Sequence, residues 1–571
     1  MAKFTVADMD SSARQLPHLN PLVATLLINR GISDVNLANE FLSPHYENHS
    51  HDPFLMKDME KAVKRTLEAI KNNEHIVIFS DYDADGIPGG VILHDAFKKI
   101  GFNNFSNYIP HRHDEGFGLN IEAIKEFQKK DAKLIITIDC GINDAEEVAY
   151  ANKLQINVII TDHHMPPKIL PRAFAIINPK QAGCSYPEKM LCGAGVIYKF
   201  VLALLKRGVE QKIFEVKQGW EKWLLDMVGI ATLSDMVPLV GENRMFAHYG
   251  LKVLRMSQRL GLQKLLNSLN ISQNTLSEED VGFSITPRIN VASRMSSPIH
   301  AFELLSTDDH VKADALIIDL DKKNGERKIL VAGIVKEIKK KMREHESLGD
   351  PDILVFGDIK WKPAVLGLVA NSIMKETSKP VFVWGRGEGE IIKGSCRSNG
   401  SVSLIDLMAK LPEGLIKDFG GHTLSGGFSV EKDRLHDLAQ ELNNAVKLIP
   451  NEKIDLSIIV DSRLSLNQIN SKTWKLISSC APFGEGNAKP MFLIERAFVR
   501  KIKLFGKNKE HIEFKLTDEN GEDAIAIQFF ASEREEFSRI KEGDYITMLC
   551  HLEESLFKGY PEYRLRISEI I

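Results

Sequence analysis

Short apolar runs, each followed by carboxylates or histidines, recur in the first third of the chain. Runs of roughly four to eight residues rich in Val and Ile are typical of buried parallel strands. In an open α/β sheet, side chains just beyond the carboxyl ends of such strands meet in one crevice. The runs and the polar residues after them are His75–Phe79 with Asp81, Asp83 and Asp85, Leu134–Ile138 with Asp139, and Val158–Thr161 with Asp162, His163 and His164.

This crevice would collect more negative charge than a protein can bury without cations, because close carboxylates repel each other in a low dielectric. The segment Ile230–Asp235 adds one more carboxylate, at Asp235. The sequence therefore predicts a divalent-metal site with two ions. Carboxylates with one or two imidazoles suit Mn²⁺ or Mg²⁺ better than zinc. Two such ions, about 3.5–4 Å apart, support phosphoester hydrolysis by activating water and stabilising the leaving oxygen.

Two other interpretations of Asp81–Gly86 compete with this metal centre. The pattern Asp-x-Asp-x-Asp-Gly also begins EF-hand calcium loops, which need a Glu at the twelfth position within a helix-loop-helix. The twelfth position here is Ile92, and a predicted strand precedes the pattern. An acidic surface turn is the second alternative, and it leaves the carboxylates after the other strands unexplained.

Chain length and composition limit the class of protein. A chain of 571 residues exceeds a single hydrophobic core, so we expect roughly three or four domains. The net charge of −4 gives no overall basic signature of nucleic-acid binding, although local Lys and Arg patches can still bind phosphate. The six cysteines form no CxxC pair, which favours a reducing compartment. No signal-peptide core or membrane-spanning stretch is evident, so we expect a cytoplasmic protein without membrane contact.

The hydrophobic periodicity divides the chain into regions. Helical spacing covers residues 14–70, strand–helix alternation covers 76–240, and residues 240–310 are mixed. A long charged helix over 311–346 would connect to a second α/β region, and its basic run is interpreted as a solvated face. Alternating short strands after a linker at 450–452 predict a small β-barrel of the OB type. The predicted domains are a helical leader packed on the catalytic domain (1–75), an α/β catalytic domain with a parallel sheet (76–310), a connecting helix (311–350), a second α/β domain (351–449) and the barrel (453–571).

Several polar residues outside the carboxylate cluster are candidates for binding phosphate. Backbone N–H groups of glycine-containing turns can cradle an anion, and an arginine fork can bind phosphate oxygens bidentately. For each candidate, a structural turn or a surface salt bridge is an alternative explanation. The candidates are Arg112; Arg288, Asn290 and Arg294; Ser395 and Arg397; and Gly420, Gly421 and His422.

Taken together and in their order, the motifs of the chain resemble those of the DHH phosphoesterase superfamily, and most closely its bacterial exonucleases that are specific for single-stranded DNA. The match covers nearly the whole chain. Its last four motifs favour the exonucleases over the smaller pyrophosphatase and oligonucleotidase relatives. The motifs are Asn29–Ile32, Phe41–Pro44, Ser80–Gly86, Pro110–Arg112, Glu115–Leu119, Thr137–Ile142, Asp162–His164, Asn178–Pro179, Thr232–Leu239, Pro287–Asn290, Asn324 with Arg327–Lys328, Gly420–His422 and Pro482–Asn487.

The resemblance implies a fold and a set of metal ligands. The fold would comprise a DHH catalytic domain, a connecting helix, a DHHA1 domain closing over the cleft, and an OB-fold. Asp139 would bridge two Mn²⁺ or Mg²⁺ ions, and His164 would contact or polarise the scissile phosphate, so that His164, Asp139 and Asp83 are the expected catalytic residues. The implied metal ligands are Asp81, Asp83, Asp85, Asp139, His163 and Asp235, and the implied phosphate ligands, the terminal phosphate included, are Arg112, Arg288, Ser395, Arg397 and His422.

The resemblance also implies an activity and partners. The family degrades single-stranded DNA from the 5′ end and releases mononucleotides in recombination and repair. Single-strand-binding protein and a RecQ-type helicase are the implied protein partners, and we expect a monomer. The barrel would add stacking aromatics and a basic groove, although Phe514 and Phe529 fit a barrel core better. The barrel candidates are Phe505, Phe514, Phe529, Phe530 and Tyr560, with Lys503, Lys507 and Lys509.

Two other functions remain open. A phosphodiesterase acting on short oligonucleotides or cyclic dinucleotides would lack the barrel, so deletion of residues 453–571 distinguishes it. An inactive DHH-type scaffold that only binds DNA would have lost metal ligands, and here all of them are present. The chain departs from the family pattern at Ile87–Gly90, where hydroxyl residues are usual. This departure changes how the start of the following helix would meet a phosphate.

Overall fold

The computed structural model describes residues 4–571 apart from 113, 345–349, 388–390, 422, 450–457, 532–536, 538 and 558. A helical leader precedes a parallel sheet, and one long helix then leads to a mixed sheet and a C-terminal barrel. The linker predicted at 450–452 lies outside the described residues.

The leader contributes to two different hydrophobic cores. Its elements are β1 (Phe4–Val6), α1 (Met9–Gln15), α2 (Pro21–Ile28), α3 (Val35–Leu42), α4 (Tyr46–His49) and α5 (Met59–Lys71). Six of the eight α2 residues are buried, so this helix needs apolar partners on more than one side. We expected the leader to pack on the catalytic domain, and α5 does so. Helices α2 and α3 instead supply side chains to the core of the barrel domain.

Parallel strands form the sheet that carries the predicted site, as the apolar runs indicated. They are β2 (His75–Ser80), β3 (Phe105–Tyr108), β4 (Ala132–Ile138), β5 (Asn157–Thr161) and β6 (Ala175–Ile177), in the order β3-β2-β4-β5-β6. Apolar side chains pack on both faces of this sheet. The chain passes from β2 to β3 on one side and later to β4 on the other, so β2 and β4 flank the topological switch point. The covering helices are α6 (Gly86–Lys99), α7 (Ile121–Lys129), α8 (Ala145–Lys153) and α9 (Gly193–Glu210).

Beyond β6 the catalytic domain is helical. The strand–helix alternation expected up to about residue 240 ends earlier, since no strand follows Ile177 in the described part of this domain. The apolar runs there join the same core as α6 and α9, and periodicity alone does not separate such buried helices from buried strands. The helices are α10 (Leu225–Ser234), α11 (Gly241–Leu254), α12 (Leu260–Ser268), α13 (Glu278–Asp280), α14 (Thr286–Met295) and α15 (Ile299–Ser306).

Helix α16 (His310–Glu344) connects the catalytic domain to the second α/β domain. Its 35 residues extend about 52 Å. The predicted helix ran further, but residues 345–349 lie outside the described part of the chain. The second domain has a sheet in the order β10-β11-β9-β8-β7. Its elements are β7 (Leu354–Gly357), α17 (Pro363–Thr377), β8 (Val381–Arg386), β9 (Ile391–Arg397), α18 (Leu404–Ala409), β10 (Asp418–Gly421), β11 (Ser425–Glu431) and α19 (Leu438–Ala445).

The C-terminal strands close into a barrel, which confirms the predicted OB-type domain. Closure results because β14 pairs with both β15 and β17. Buried and exposed residues alternate along β15, as in a strand with one face on a core. The elements are β12 (Ile458–Val460), β13 (Ser462–Arg463), α20 (Ser471–Ser478), β14 (Phe492–Phe505), β15 (His511–Thr517), β16 (Asp523–Gln528), β17 (Tyr545–Ser555) and β18 (Glu562–Ile570).

Candidate metal centre and phosphate-binding cleft

The loop after β2 holds three of the predicted metal ligands in a tight turn. The Asp83 carboxylate accepts hydrogen bonds from the backbone N–H groups of Asp85 (2.8 Å) and Gly86 (3.2 Å) at the start of α6. A Cβ at Gly86 would lie 2.6 Å from the carbonyl oxygen of Asp81, so the turn requires glycine there. The Ala84 N–H donates to Oδ1 of Asn290 on α14 (2.9 Å). The loop is therefore fixed both by its own backbone and by a distant helix.

Asp139 follows β4 in a left-handed backbone conformation, with φ of 63°. Its N–H donates to the Thr161 carbonyl at the end of β5 (2.9 Å), which ties the two strand ends together. Gly193 at the start of α9 approaches so closely that a Cβ there would lie 2.5 Å from the Asp139 Cβ. Any side chain at position 193 would displace the carboxylate, and only glycine allows this approach.

Asp162 fixes the two histidines that follow it. One carboxylate oxygen accepts from the backbone N–H groups of His163 (2.7 Å) and His164 (3.0 Å), and Nδ1 of His164 lies 2.8 Å from the same oxygen. The other oxygen accepts from the Ile142 N–H (3.0 Å). With its oxygens occupied in this way, Asp162 orients the histidines, a role that the sequence analysis did not assign to it.

His163 lies among the carboxylates of three different segments. Its Nε2 is 3.1 Å from Oδ1 of Asp139 and 3.8 Å from oxygens of both Asp85 and Asp235. Asp85 also accepts from the Gly193 N–H (2.6 Å) at the N-terminus of α9, where the helix dipole favours a negative charge. Asp235 reaches the site from the end of α10 rather than from a strand. The structure thus brings the predicted carboxylates and His163 into one pocket.

Burial and the crowding of negative charge raise the pKa values of four carboxylates in this pocket. Burial, reinforced by neighbouring carboxylates, raises the pKa of Asp81, Asp139 and Asp235 well above the ordinary range and that of Asp85 to about 7. Burial, with a contribution from the charge of His164, lowers the pKa of His163 to about 3. A divalent cation would favour the ionised carboxylates and use the lone pair of the neutral imidazole.

The donor atoms of the pocket fit two adjacent divalent ions. Oδ1 of Asp81 is buried without a hydrogen-bond partner within the described ranges. Oδ1 of Asp139 likewise accepts no well-aligned hydrogen bond there, although Nε2 of His163 lies 3.1 Å away. Such orphaned carboxylate oxygens are costly unless a cation contacts them. Three groups of potential ligands are present, and one of them shares Asp139 with a second group and His163 with the third, which suits a pair of adjacent ions. The groups, each with donor atoms within 4.8 Å of one another, are Asp139, His163 and His164; Asp85, His163 and Asp235; and Asp81, Asp83 and Asp139.

Arg112 and the second α/β domain enclose a cavity of about 590 Å³. The Arg112 guanidinium lies 4.9 Å from the ring centroid of Tyr82, which stands between the first two aspartates of the β2 loop. Ser395 on β9 and Gly420 on β10 also line this cavity. The structure therefore brings three of the predicted phosphate ligands, from two domains, around one cavity.

Further cations lie close to this cavity, and Nη1 of Arg294 donates to the carbonyl of Ala364, which lines it (2.8 Å). Burial lowers the pKa of Arg294 to about 9, and the charges of Arg112 and Arg327 add to the effect. Burial also lowers the pKa of Arg397, whose guanidinium packs against Gly367 on α17. An anion bound here would relieve this mutual repulsion, which favours a phosphate-binding role for the cluster.

Three other predicted phosphate residues have structural contacts. Arg288 forms an ion pair with Asp321 of α16 (3.1 Å), the alternative weighed for it above. Asn290 uses its Oδ1 to hold the β2 loop rather than leaving it for a ligand. Gly421 pairs with Gly426 across the β10–β11 ladder. Their phosphate roles stay predictions, and His422 lies outside the described residues.

Family models match the three folded regions of the chain. The model described as the DHH family, N-terminal domain, matches residues 75–232. The DHHA1 domain model matches residues 350–448, and the RecJ OB domain model matches residues 460–569. These matches confirm the domain types that the motifs implied.

A curated relative from Haemophilus influenzae, named single-stranded-DNA-specific exonuclease RecJ, is 32% identical over 488 residues, covering 83% of this chain and 84% of that protein. The chain belongs to the RecJ family. A RecJ of Bacillus subtilis is 34% identical over 529 residues, which cover 90% of this chain. The match covers 64% of that protein, so the chain spans less than two thirds of the length of this relative.

Solved RecJ structures resemble the chain over its whole length or most of it. RecJ from Thermus thermophilus, crystallised in complex with Mn²⁺, has a TM-score of 0.81 and 24% identity, covering 100% of this chain and 79% of that one. A second structure, described as exonuclease RecJ bound to manganese, has a TM-score of 0.59 and 29% identity, covering 71% of this chain and 98% of that one. The first likeness confirms the RecJ fold, barrel included.

Sequence reasoning missed several residues of this RecJ-family site. Gly193 was not singled out, although a Gly-Ala-Gly run before an apolar helix was an available signal for close backbone approach. Phe117, which is about half exposed, packs edge-on against His164 with ring centroids 5.6 Å apart. Arg386 and Lys393 line the cavity. Nothing in their local sequence distinguishes them from ordinary strand residues.

The barrel of this RecJ-family chain carries an aromatic cluster. The ring of His511 lies 4.9–5.2 Å, centroid to centroid, from those of Phe505, Phe529 and Phe530. Phe514 is fully buried, as expected for a core residue. Phe529 is only half-buried and joins this surface cluster, so the core interpretation does not hold for it. Exposed rings of this kind can stack with bases, and the exposed candidates are Phe530 and Tyr560.

Proposed function

We propose that this chain is a metal-dependent exonuclease that degrades single-stranded DNA from the 5′ end, releases mononucleotides and serves recombination and repair. The convergence of carboxylates from two strand ends and one helix end on His163 supports hydrolytic phosphate chemistry. The relationship to proteins named single-stranded-DNA-specific exonuclease supports the substrate. The description of a relative as bound to manganese supports the cofactor.

The metal ligands of this proposal follow from the fit of the donor atoms. Asp139 would be shared between the two ions, because its carboxylate belongs to two of the potential ligand groups. Two bound Mn²⁺ or Mg²⁺ ions would supply an activated water and offset the charge on the phosphodiester. The proposed ligands are Asp81, Asp83, Asp85, Asp139, His163 and Asp235.

Other residues would bind and orient the substrate. Asp162 engages Nδ1 of His164, which leaves Nε2 of His164 as the ring nitrogen for the scissile phosphate. Burial alone would lower the pKa of His164, but the contact with Asp162 raises it, which favours the protonated ring that can donate to a phosphate oxygen. Arg112 and Ser395, which line the same cavity from two domains, would hold the terminal phosphate, with Arg397 beside Ser395. Fixing that phosphate sets the distance from the strand end to the cleaved bond.

The proposal extends to the setting of the enzyme. Among the described residues, no helix is both long and apolar enough to cross a bilayer. The six cysteines are all free, and five of them are buried. We propose a cytoplasmic monomer that acts beside single-strand-binding protein and a RecQ-type helicase. Sedimentation of the purified chain tests the monomer, and co-sedimentation with each protein tests the partners.

The decisive experiment compares two aspartates at opposite ends of β4. Asp139→Asn removes a carboxylate of the site, whereas Asp131→Asn makes the same change at an exposed position that also has a left-handed backbone. Release of nucleotide from 5′-labelled single-stranded DNA is measured with and without Mn²⁺. We expect activity that depends on Mn²⁺ in the wild type and in Asp131→Asn, and at least a hundred-fold loss in Asp139→Asn, on the order of removing a key electrostatic group.

Three outcomes would contradict the proposal. These are near-normal activity of Asp139→Asn, full activity of the wild type after chelation, or release of the 5′ label only after the strand has been shortened from its 3′ end. Equal digestion of duplex and single strands would contradict only the single-strand preference.

A further inference from the structure

A groove between α16 and α17 runs along the connecting helix. It has a volume of about 650 Å³. Its floor is apolar and includes Val331, Val335 and Leu368. The basic run that we first interpreted as a solvated face contributes to its rim. The cations that line the groove are Arg327, Lys328, Lys336, Lys339 and Arg343.

The charge of this groove is strongly positive. Glu376 is the acidic residue among those that line it, and it pairs with Lys339 (2.7 Å). Other acidic partners on α16 are used elsewhere, as in the ion pair of Lys340 with Glu344. Lys328 and Lys336 form no ion pair with any described residue. Cations that lack acidic partners and flank a concave surface attract a polyanion.

The groove begins at the cleft. Burial, and then the charge of Arg288, lowers the pKa of Arg327, and Arg327 in turn contributes to the lowered pKa of Arg294. These guanidinium groups are therefore close enough to repel one another. Nε of Arg327 is buried without a partner among the described residues, as is Oδ1 of Asn324 one turn earlier. The geometry agrees, because Pro363 and Ala364 at the start of α17 line the cavity and Leu368, about one turn further along the same helix, lines the groove. The groove thus continues from the cleft, where a strand would already be bound.

The length of the groove suits a chain molecule rather than a small anion. From Arg327 to Arg343 the helix rises about 24 Å. Apart from the adjacent pair Arg327 and Lys328, the lining cations follow one another at about one to two turns along that distance. A phosphate backbone presents negative charges at regular intervals, and basic grooves that follow it bind without sequence preference.

We propose that this groove binds the phosphate backbone of single-stranded DNA that extends beyond the cleft. The inference rests on the proposed exonuclease function and adds a second contact region to it. The groove would increase the affinity for long strands without touching the metal centre. An acidic protein segment could also satisfy the charge, but continuity with the phosphate-binding arginines favours the substrate strand.

The test compares two triple variants that each remove three positive charges from α16. The groove variant is K328Q/K336Q/R343Q, which spares Arg327 because that residue is coupled to the cleft. The control is K312Q/K322Q/K340Q, whose lysines do not line the groove. Both are made in the Asp139→Asn background to prevent digestion. Binding of fluorescent single strands of increasing length is measured by anisotropy over a range of salt concentrations, and thermal melting verifies that each variant is folded.

We expect the groove variant to bind long strands roughly ten-fold more weakly, from three contacts of a few tenths to one kcal/mol each. The slope of log affinity against log salt should fall by about 2, and the shortest strands should bind as before. An unchanged affinity for long strands, or an equal loss in the control, would overturn the inference. If the chain with Asp139 intact releases nucleotides while the groove variant binds normally, only this inference fails. If that chain releases none, the proposed function itself fails.

Discussion

Arg244 on α11 joins three parts of the chain, and its replacement is predicted to uncouple them. The residue is 2% exposed and donates hydrogen bonds to the carbonyls of Phe41 (2.6 Å), Cys480 (3.1 Å) and Ala481 (3.0 Å). Its guanidinium also lies 3.4 Å from the ring centroid of Phe41. Burial lowers the pKa of Arg244 to about 10, so the group stays cationic at neutral pH.

Arg244→Met should lower the free energy of unfolding, because buried carbonyls lose their hydrogen-bond donor. Cys480 keeps a second donor in Nδ2 of Asn487 (2.8 Å), whereas Phe41 and Ala481 lose a charged one. Each buried carbonyl left in this way costs about 1–3 kcal/mol, and loss of the cation–π contact adds roughly 1–2 kcal/mol. Removal of a buried charge offsets part of this sum. A net loss of about 3 kcal/mol corresponds to a lowering of roughly 6–12 °C in the melting temperature.

Differential scanning calorimetry measures this effect directly. The wild-type barrel and catalytic domain should unfold together, because Arg244 links them through buried contacts. In Arg244→Met the barrel transition should separate and move to lower temperature. Lys252→Met is the control, since it removes an exposed cation from the same helix. The reasoning is refuted if Arg244→Met melts within about 2 °C of that control, or if its domains still unfold in one transition.

Two further predictions concern the metal centre. Gly486→Ala should weaken Mn²⁺ binding, measured by calorimetric titration. Residue 486 has a φ of 70°, and the new Cβ would lie 3.2 Å from Pro238, so the substitution should shift the loop that follows Asp235. The control Gly543→Ala changes another positive-φ glycine, which has open space around it, and should leave the Mn²⁺ affinity unchanged. The metal-free protein should lose stability as pH rises from about 4 to about 7, because the folded-state pKa of Asp85, about 7, exceeds its ordinary value of 3.8 and those of Asp81, Asp139 and Asp235 are raised in the same direction. The lowered pKa of His163 has the opposite effect, but it is one group against four. Mn²⁺ affinity should rise over the same interval, since fewer protons must then be displaced. A melting temperature that rises with pH in chelated protein would contradict this sign.

The sequence allowed the parallel sheet and most of the metal centre to be predicted. Buried strands have a strong local signal, and the carboxyl ends of parallel strands share one edge of a sheet. Side chains that follow these strands are therefore expected to lie close together. They are the carboxylates after β2 and β4 and the histidines after β5. The polarity of digestion, by contrast, came only from family resemblance, because no local pattern encodes the direction of a strand.

The remaining features depend on contacts between segments far apart in sequence. Asn290 was predicted to bind phosphate, but its oxygen accepts from Ala84, more than two hundred residues away. Arg288 has the residue type of a phosphate ligand and pairs with Asp321. Tertiary packing decides whether a polar side chain faces a ligand or another element of the fold. The local sequence pattern does not predict that packing. The same holds for α2, whose helical spacing was evident in the sequence while the domain it packs against was not.

The turn at Gly484–Gly486, which precedes β14, contacts the loop after Asp235, so a deletion of the barrel domain would also affect the metal centre. The Leu239 N–H donates to the Glu485 carbonyl (2.8 Å), and Gly484 and Gly486 pack against the loop that follows Asp235. Deleting residues 453–571 would therefore release a proposed metal ligand and expose the apolar faces of α2 and α3 as well as removing the barrel. Lost digestion of long strands in such a truncation would be expected even if the barrel never touched DNA. Substitutions at the exposed rings of Phe530 and Tyr560 separate the two causes, because neither side chain contributes to the core.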